Sequence, residues 1–176
     1  MRYIELRRHT DNDGDALTAD GVAAARAIGR DRLSPPYAAF VSTGARRATQ
    51  MLEILRHAAG QDDVAISDVI ALRSLVEERW RAASEAAGEG ADVEAMRIVD
   101  PELVEHESRL LGSALRRVLE ALPEGGRALV VGHSPTNEAA VLGLTGRLVS
   151  PLAKGEGVLV VEDGGRFRVE PLDPPR

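Results

Sequence analysis

Apolar positions along the chain recur with two different periods, and the switches between them mark its elements. Residues 2–6, with Tyr3, Ile4 and Leu6 apolar, read as a strand. The polar run Asp11-Asn12-Asp13-Gly14-Asp15 reads as a loop. Thr18 suits a helix cap with Asp20 in the first turn, and Val22, Ala25, Ile28 and Gly29 keep helical spacing as far as Arg30. Ser34-Pro35-Pro36 breaks the chain, and residues 37–41 form a second strand. Ser42 or Thr43 is the expected cap of a second helix, whose Ala48, Met51, Leu52, Leu55 and Ala59 make one apolar stripe ended by Gly60.

The second half repeats the logic. A short third strand is expected around residues 64–66. Residues 79–100, rich in Ala, Glu and Gly, read as broken helix or a mobile cover, and 79–107 as a helical cover over a site. Pro101 starts a long helix with Leu111, Leu115, Val118 and Leu122 as its core stripe, Leu110 and Ala114 beside it. Pro123-Glu124-Gly125-Gly126 turns the chain into a strand over 128–131. Ser134-Pro135 predicts an N-cap followed by proline at the first helical position, with the helix running to Leu144 and closing at Thr145-Gly146. Residues 158–161 and 166–169 flank Asp163-Gly164-Gly165 as a hairpin. Alternating strands and helices predict one domain over 1–176. Its fold is a three-layer α/β sandwich, with a mostly parallel central sheet, helices on both faces and an antiparallel edge hairpin.

Composition narrows this. The chain is 44% apolar but only 3% aromatic, so the core must be aliphatic. A net charge of −6 spread along the sequence argues against a nucleic-acid partner. The absence of cysteine excludes thiolate metal sites, disulfides and thiol catalysis. No signal-like apolar region stands at the N-terminus, and no run approaches the ~18 apolar residues of a membrane span. A cytoplasmic protein without membrane contact is the expectation, with a frayed tail over Asp173-Pro174-Pro175-Arg176.

Three strand-like runs each end on a cation or an imidazole: Arg8-His9 after the first, Arg46-Arg47 beyond the second, and His133 after 128–131. In open α/β sheets that edge is where ligands bind. Arginine forks suit phosphoryl oxygens, and helix N-termini near Arg47 and His133 favour an anion. His9 can attack phosphorus to give a phosphohistidine that water hydrolyses, provided one ring nitrogen is unprotonated. The leaving oxygen needs a proton, so a carboxylic acid is expected nearby.

These segments resemble the motifs of the histidine phosphatase superfamily, the phosphoglycerate mutase-like proteins. Leu6-Arg7-Arg8-His9-Thr10 is similar to its nucleophile motif, and Leu17-Thr18-Ala19-Asp20-Gly21 to its helix start. The run from Ser42 to Gln50 resembles the motif of its second arginine, placing that residue on Arg47 rather than Arg46. Val131-Gly132-His133-Ser134 resembles the second-histidine motif, and 151–161 its closing pattern. The resemblance implies a metal-independent phosphomonoesterase without cofactor, with His9 as nucleophile and Arg8, Arg47 and His133 around the phosphate. Thr10 and Ser134 join the phosphate-binding set. Leu75-Val76-Glu77 resembles the segment bearing the proton donor, which points to Glu77, with Glu78 as runner-up. The Gly and Trp-Glu-Gly that follow it in the family are missing here, and Thr10 replaces the usual Gly or Ala.

The short length, the brief loop after Thr10 and the run from His133 to Gly146 resemble the small protein-phosphohistidine phosphatase branch. Its implied partner is a phosphohistidine protein, as against a small phosphorylated substrate. A third alternative is a phosphoanion-binding module without turnover. Arg46, His57 and His106 read as solvated helix residues, and Arg73 as a surface charge or a fourth phosphate ligand. Asn137 reads as satisfying a helix N-terminus. The run 11–15 begins like a calcium loop but has Ala16 at the required Gly and Val22 at the required Glu, so it reads as structure or as an acidic rim.

Overall fold

The computed structural model describes residues 1–173. Strand β1 (Arg2–Arg8) leads through a two-stranded ribbon, β2 (Asn12–Asp13) and β3 (Ala16–Leu17), into helix α1 (Ala19–Asp31). Next come β4 (Ala39–Ser42), α2 (Arg46–Ala58), β5 (Ile66–Asp68) and a 3₁₀ turn over Ile70–Leu72. Three helices then run in succession, α3 (Glu77–Ala87), α4 (Val93–Val99) and α5 (Pro101–Glu120). The chain closes with β6 (Arg127–Gly132), α6 (Thr136–Thr145), β7 (Gly157–Asp163) and β8 (Arg166–Pro171).

The six long strands form one sheet in the order β5-β4-β6-β1-β7-β8. β5, β4, β6 and β1 are parallel, and the β7–β8 hairpin adds the antiparallel edge. Alternation along β6 builds the two cores. Ala128 and Val130 face α5 and α6, together with Ile4 and Leu6, while Leu129 and Val131 face α1 and α2 with Phe40 and Met51. The α/β sandwich with a mostly parallel sheet is therefore present as expected. Registers of Leu6 with Val130 and Arg8 with Gly132 bring the ends of β1 and β6 level, so His9 and His133 leave the sheet side by side.

Several boundaries differ from the sequence reading. The second and third strands lie later than expected, at 39–42 and 66–68. Neither Ser42 nor Thr43 caps α2. The Ser42 hydroxyl accepts from the Gly44 N–H and pairs with Thr49, and the Asp15 carboxylate takes the first helical N–H groups, those of Arg46 and Arg47, at 3.3 and 3.5 Å. Helix α6 starts at Thr136, one residue beyond the expected proline, because the Ser134 hydroxyl donates to the Glu138 carboxylate instead of capping the helix. Residues 79–100, expected as broken helix or a mobile cover, are helix broken between α3 and α4, and α5 starts at Pro101 as expected; Asp92 and Asp100 cap α4 and α5. Leu110 is half-exposed, off the core stripe. Asp173, placed in the frayed tail, ion-pairs with Arg7 and Arg32, while residues 174–176 lie outside the described residues.

Candidate active site

The two histidines are placed by the ends of strands β1 and β6. After β1, the His9 N–H donates to the Gly132 carbonyl at 3.0 Å, and Gly155 N–H closes on the Arg8 and His9 carbonyls from the other side. Asn137 locks the two histidine-bearing segments together: its Oδ1 accepts from the His133 N–H at 3.3 Å and its Nδ2 donates to the Arg7 carbonyl at 3.1 Å. It therefore joins two strand ends rather than only serving its own helix.

The rings of His9 and His133 meet edge to face, with centroids 5.3 Å apart. Arg47 bridges them from the first turn of α2. Its Nε donates to His9 Nε2 and its Nη2 to His133 Nδ1, both at 3.2 Å, and its Nη1 donates to Asp15 Oδ1 at 2.8 Å. This network sets the tautomers. His9 Nδ1–H donates to the Thr10 carbonyl at 2.8 Å, which leaves Nε2 carrying a lone pair. His133 Nδ1 accepts from Arg47, so its Nε2–H donates to Thr43 Oγ1 at 2.8 Å.

Burial and cationic neighbours keep both rings neutral. Desolvation is the largest cause for His9, joined by Arg47, Arg8 and Lys154, and takes it down to about 4; the Thr10 hydrogen bond opposes this. His133 falls to about 3 through burial, Arg47 and His9. Burial opposes ionisation of Asp15, but the N–H groups of Arg46 and Arg47 and the Arg47 guanidinium hold its carboxyl below the usual carboxylate range.

The remaining expected residues divide. Glu77, in the first turn of α3, lines the same cleft of about 290 Å³ as Arg47 and His133 and accepts from Arg73 Nε at 2.9 Å. Glu78 pairs with Arg81 on the exposed side and is not among the residues lining that cleft. Arg8 donates through Nη1 to the Leu152 carbonyl at 2.8 Å and lines the adjoining cleft, with its charge acting on His9. The Thr10 hydroxyl donates to the Gly21 carbonyl at 2.7 Å and fastens the start of α1, while its carbonyl accepts from His9 Nδ1. Ser134 lines both clefts, with its hydroxyl engaged by Glu138. Arg46, His57 and His106 are exposed as expected.

Three contributors went unrecognised in the sequence. Thr43 holds His133, Asp15 holds Arg47, and Lys154, bonded to Asp11 and Asn12, places a charge near His9. All three sit in loops, and only the polar run 11–15 hinted at one of them. Among the described residues no three His, Asp or Glu side chains gather as a metal cage. The arrangement holds one guanidinium between two neutral imidazoles at the edge of a cleft.

Sheet order and layers define a fold class: the chain has the phosphoglycerate mutase-like fold. Among solved structures it is similar to a phosphoglycerate mutase from Bacillus anthracis str. Sterne, with a TM-score of 0.74 and 17% identity over 96% of this chain and 91% of that one. A mycobacterial glucosyl-3-phosphoglycerate phosphatase superposes with a TM-score of 0.68 and 15% identity, covering 97% and 98% of the two chains. The protein histidine phosphatase SixA, complexed with tungstate, gives 0.61 and 17% identity over 96% and 94%. No family model and no curated protein sequence matches the chain.

Proposed function

We propose that the protein is a metal-independent phosphatase that hydrolyses a phosphomonoester through a phosphohistidine on His9. The observation that carries this reading is the Arg47 guanidinium held between His9 Nε2 and His133 Nδ1. It sets a fixed cation against an unprotonated ring nitrogen whose lone pair only that cation occupies. The phosphatases among the structural neighbours, mycobacterial and SixA, support it.

In the first step the Nε2 lone pair attacks phosphorus, the P–O bond to the leaving group breaks, and the leaving oxygen takes a proton from Glu77. Arg47 and Arg8 balance charge on the three transferring oxygens, the main task in phosphoryl transfer, and His133, neutral in the free protein, joins them by taking a proton at Nδ1 as the dianion arrives. The incoming anion displaces the Nε contact of Arg47 from His9. In the second step Glu77 removes a proton from water, oxygen attacks phosphorus, and the N–P bond breaks to regenerate His9. The Thr10 carbonyl holds the Nδ1 proton throughout.

A phosphohistidine protein is the second substrate class, favoured by the SixA likeness. A phosphorylated imidazole leaves without acid assistance. Initial rates on p-nitrophenyl phosphate and on a phosphohistidine peptide separate the two. His9→Ala abolishes turnover of either, and a variant that retains the wild-type rate overturns the mechanism.

A further inference from the structure

A second cleft of about 410 Å³ adjoins the one lined by Arg47 and His133, and the two share Ser84, Glu85, Ser134 and Pro135 in their walls. Arg8 stands in this second cleft as the only cation among its lining residues. Opposite in sign are Glu85, Glu89 and Asp92, from the end of α3 and the turn into α4, and Glu138 from α6. Two polar atoms of its lining side chains are buried with no hydrogen-bond partner among the described residues, Arg8 Nε and Glu138 Oε2.

Glu138 is the telling residue. It is 2% exposed. Its Oε1 is fully engaged, accepting from the Ser134 hydroxyl and from the Leu152 N–H at 2.9 Å, while Oε2 has nothing. A buried carboxyl oxygen without a partner is costly, and a native protein keeps few of them. A hydrogen-bond donor brought by a ligand removes that cost. Burial raises the Glu138 pKa, while the Leu152 N–H, the Ser134 hydroxyl and the Arg8 charge oppose that rise.

We propose that this cleft is the leaving-group subsite and that it selects phosphomonoesters whose far end is a cationic amine. The proposal rests on the phosphatase reading above, because Arg8 is then engaged by the phosphoryl oxygens. What remains around the leaving group is acidic: the Glu85, Glu89 and Asp92 side chains at the rim and the unpartnered Glu138 oxygen below. An ammonium is attracted there and supplies N–H donors; a carboxylate or a second phosphate is repelled. Asp92 contributes charge while capping α4 through the Ala95 N–H at 2.9 Å. Glu85 and Glu89 are exposed and form no ion pair among the described residues, so their charge is available to a ligand.

Three probes share a phosphomonoester and differ at the far end: O-phosphoethanolamine (ammonium), glycerol 1-phosphate (hydroxyl) and 3-phosphoglycerate (carboxylate). On the intact protein kcat/KM falls in that order, with about five- to tenfold between the ends, the scale of a few partly screened charge pairs. The double variant Glu85→Gln/Glu89→Gln narrows that span to about threefold or less. Equal rates on the three probes, a preference for the carboxylate, or a span unchanged in the double variant overturns the subsite. Turnover of p-nitrophenyl phosphate reads the phosphatase separately. If none of the four esters is hydrolysed, that reading fails, and calorimetric Kd values for the same three probes decide the subsite by the same order.

Discussion

At the scale of single residues, the site depends on keeping one imidazole neutral among cations. Burial and the guanidinium of Arg47 both work against a second proton on His9, so its ring titrates near 4, well below the ordinary 6.5. A ring-proton NMR titration of the ligand-free protein shows that midpoint; one close to 6.5 contradicts the environment described here. In the proposed mechanism Glu77 serves the leaving oxygen. Its replacement by Gln lowers kcat/KM on an alkyl phosphomonoester by roughly 10²- to 10⁴-fold, the usual worth of a positioned general acid. The rate on a phosphohistidine peptide, whose leaving group needs no acid, changes little. Equal losses on both substrates remove Glu77 from the role of acid. His9, His133 and Arg47 stood out in the sequence because the first two come one residue after a strand and the third five residues after one. Thr43 and Asp15 did not, since whom a loop side chain meets depends on how distant loops pack. Glu5 and Arg7 were hidden for another reason. Both are fully buried and bonded to each other at 3.0 Å in β1, whereas charged residues default to solvent.

At the scale of elements, α6 is held where it presents His133 by close approach to α5. A side-chain carbon at Gly143 would fall 1.7 Å from the Ser108 carbonyl oxygen, and one at Gly112 would meet the Gly143 backbone at 2.5 Å. Gly143→Ala therefore forces the two helices apart and destabilises the protein by about 1–3 kcal/mol, the cost of overpacking a filled interior. Urea unfolding measures it, and a variant as stable as wild type contradicts this account of the helix pair. Most elements were visible as periodicity: the α2 stripe of Ala48, Met51, Leu52 and Leu55 is wholly buried. The region 79–100 resisted because α3 buries only Trp80 and Ala83 and α4 only Val93 and Met96. Two apolar positions per helix give too little pattern to separate from a loop.

At the scale of the whole molecule, the two depressed histidines link folding to pH. Both rings bind protons more weakly in the fold, at about 4 and about 3, than at the 6.5 of a free imidazole. Between roughly pH 4 and 6.5 the unfolded chain therefore holds more protons, and stability rises with pH across that window and is lost on acidification. The urea midpoint is lower at pH 4.5 than at pH 7, and an unchanged midpoint contradicts the buried neutral pair. The sheet with its hairpin edge was readable as an order of strands and helices; the meeting of His9 and His133 across it follows from the parallel register of β1 and β6. The central claim is that this meeting makes His9 a nucleophile. Rapid alkaline quenching of the protein during turnover of p-nitrophenyl phosphate, followed by mass spectrometry, tests it most directly. The account predicts one base-stable, acid-labile phosphate on His9. Turnover that continues while no phosphate is trapped there, or a phosphate found on another residue, contradicts it.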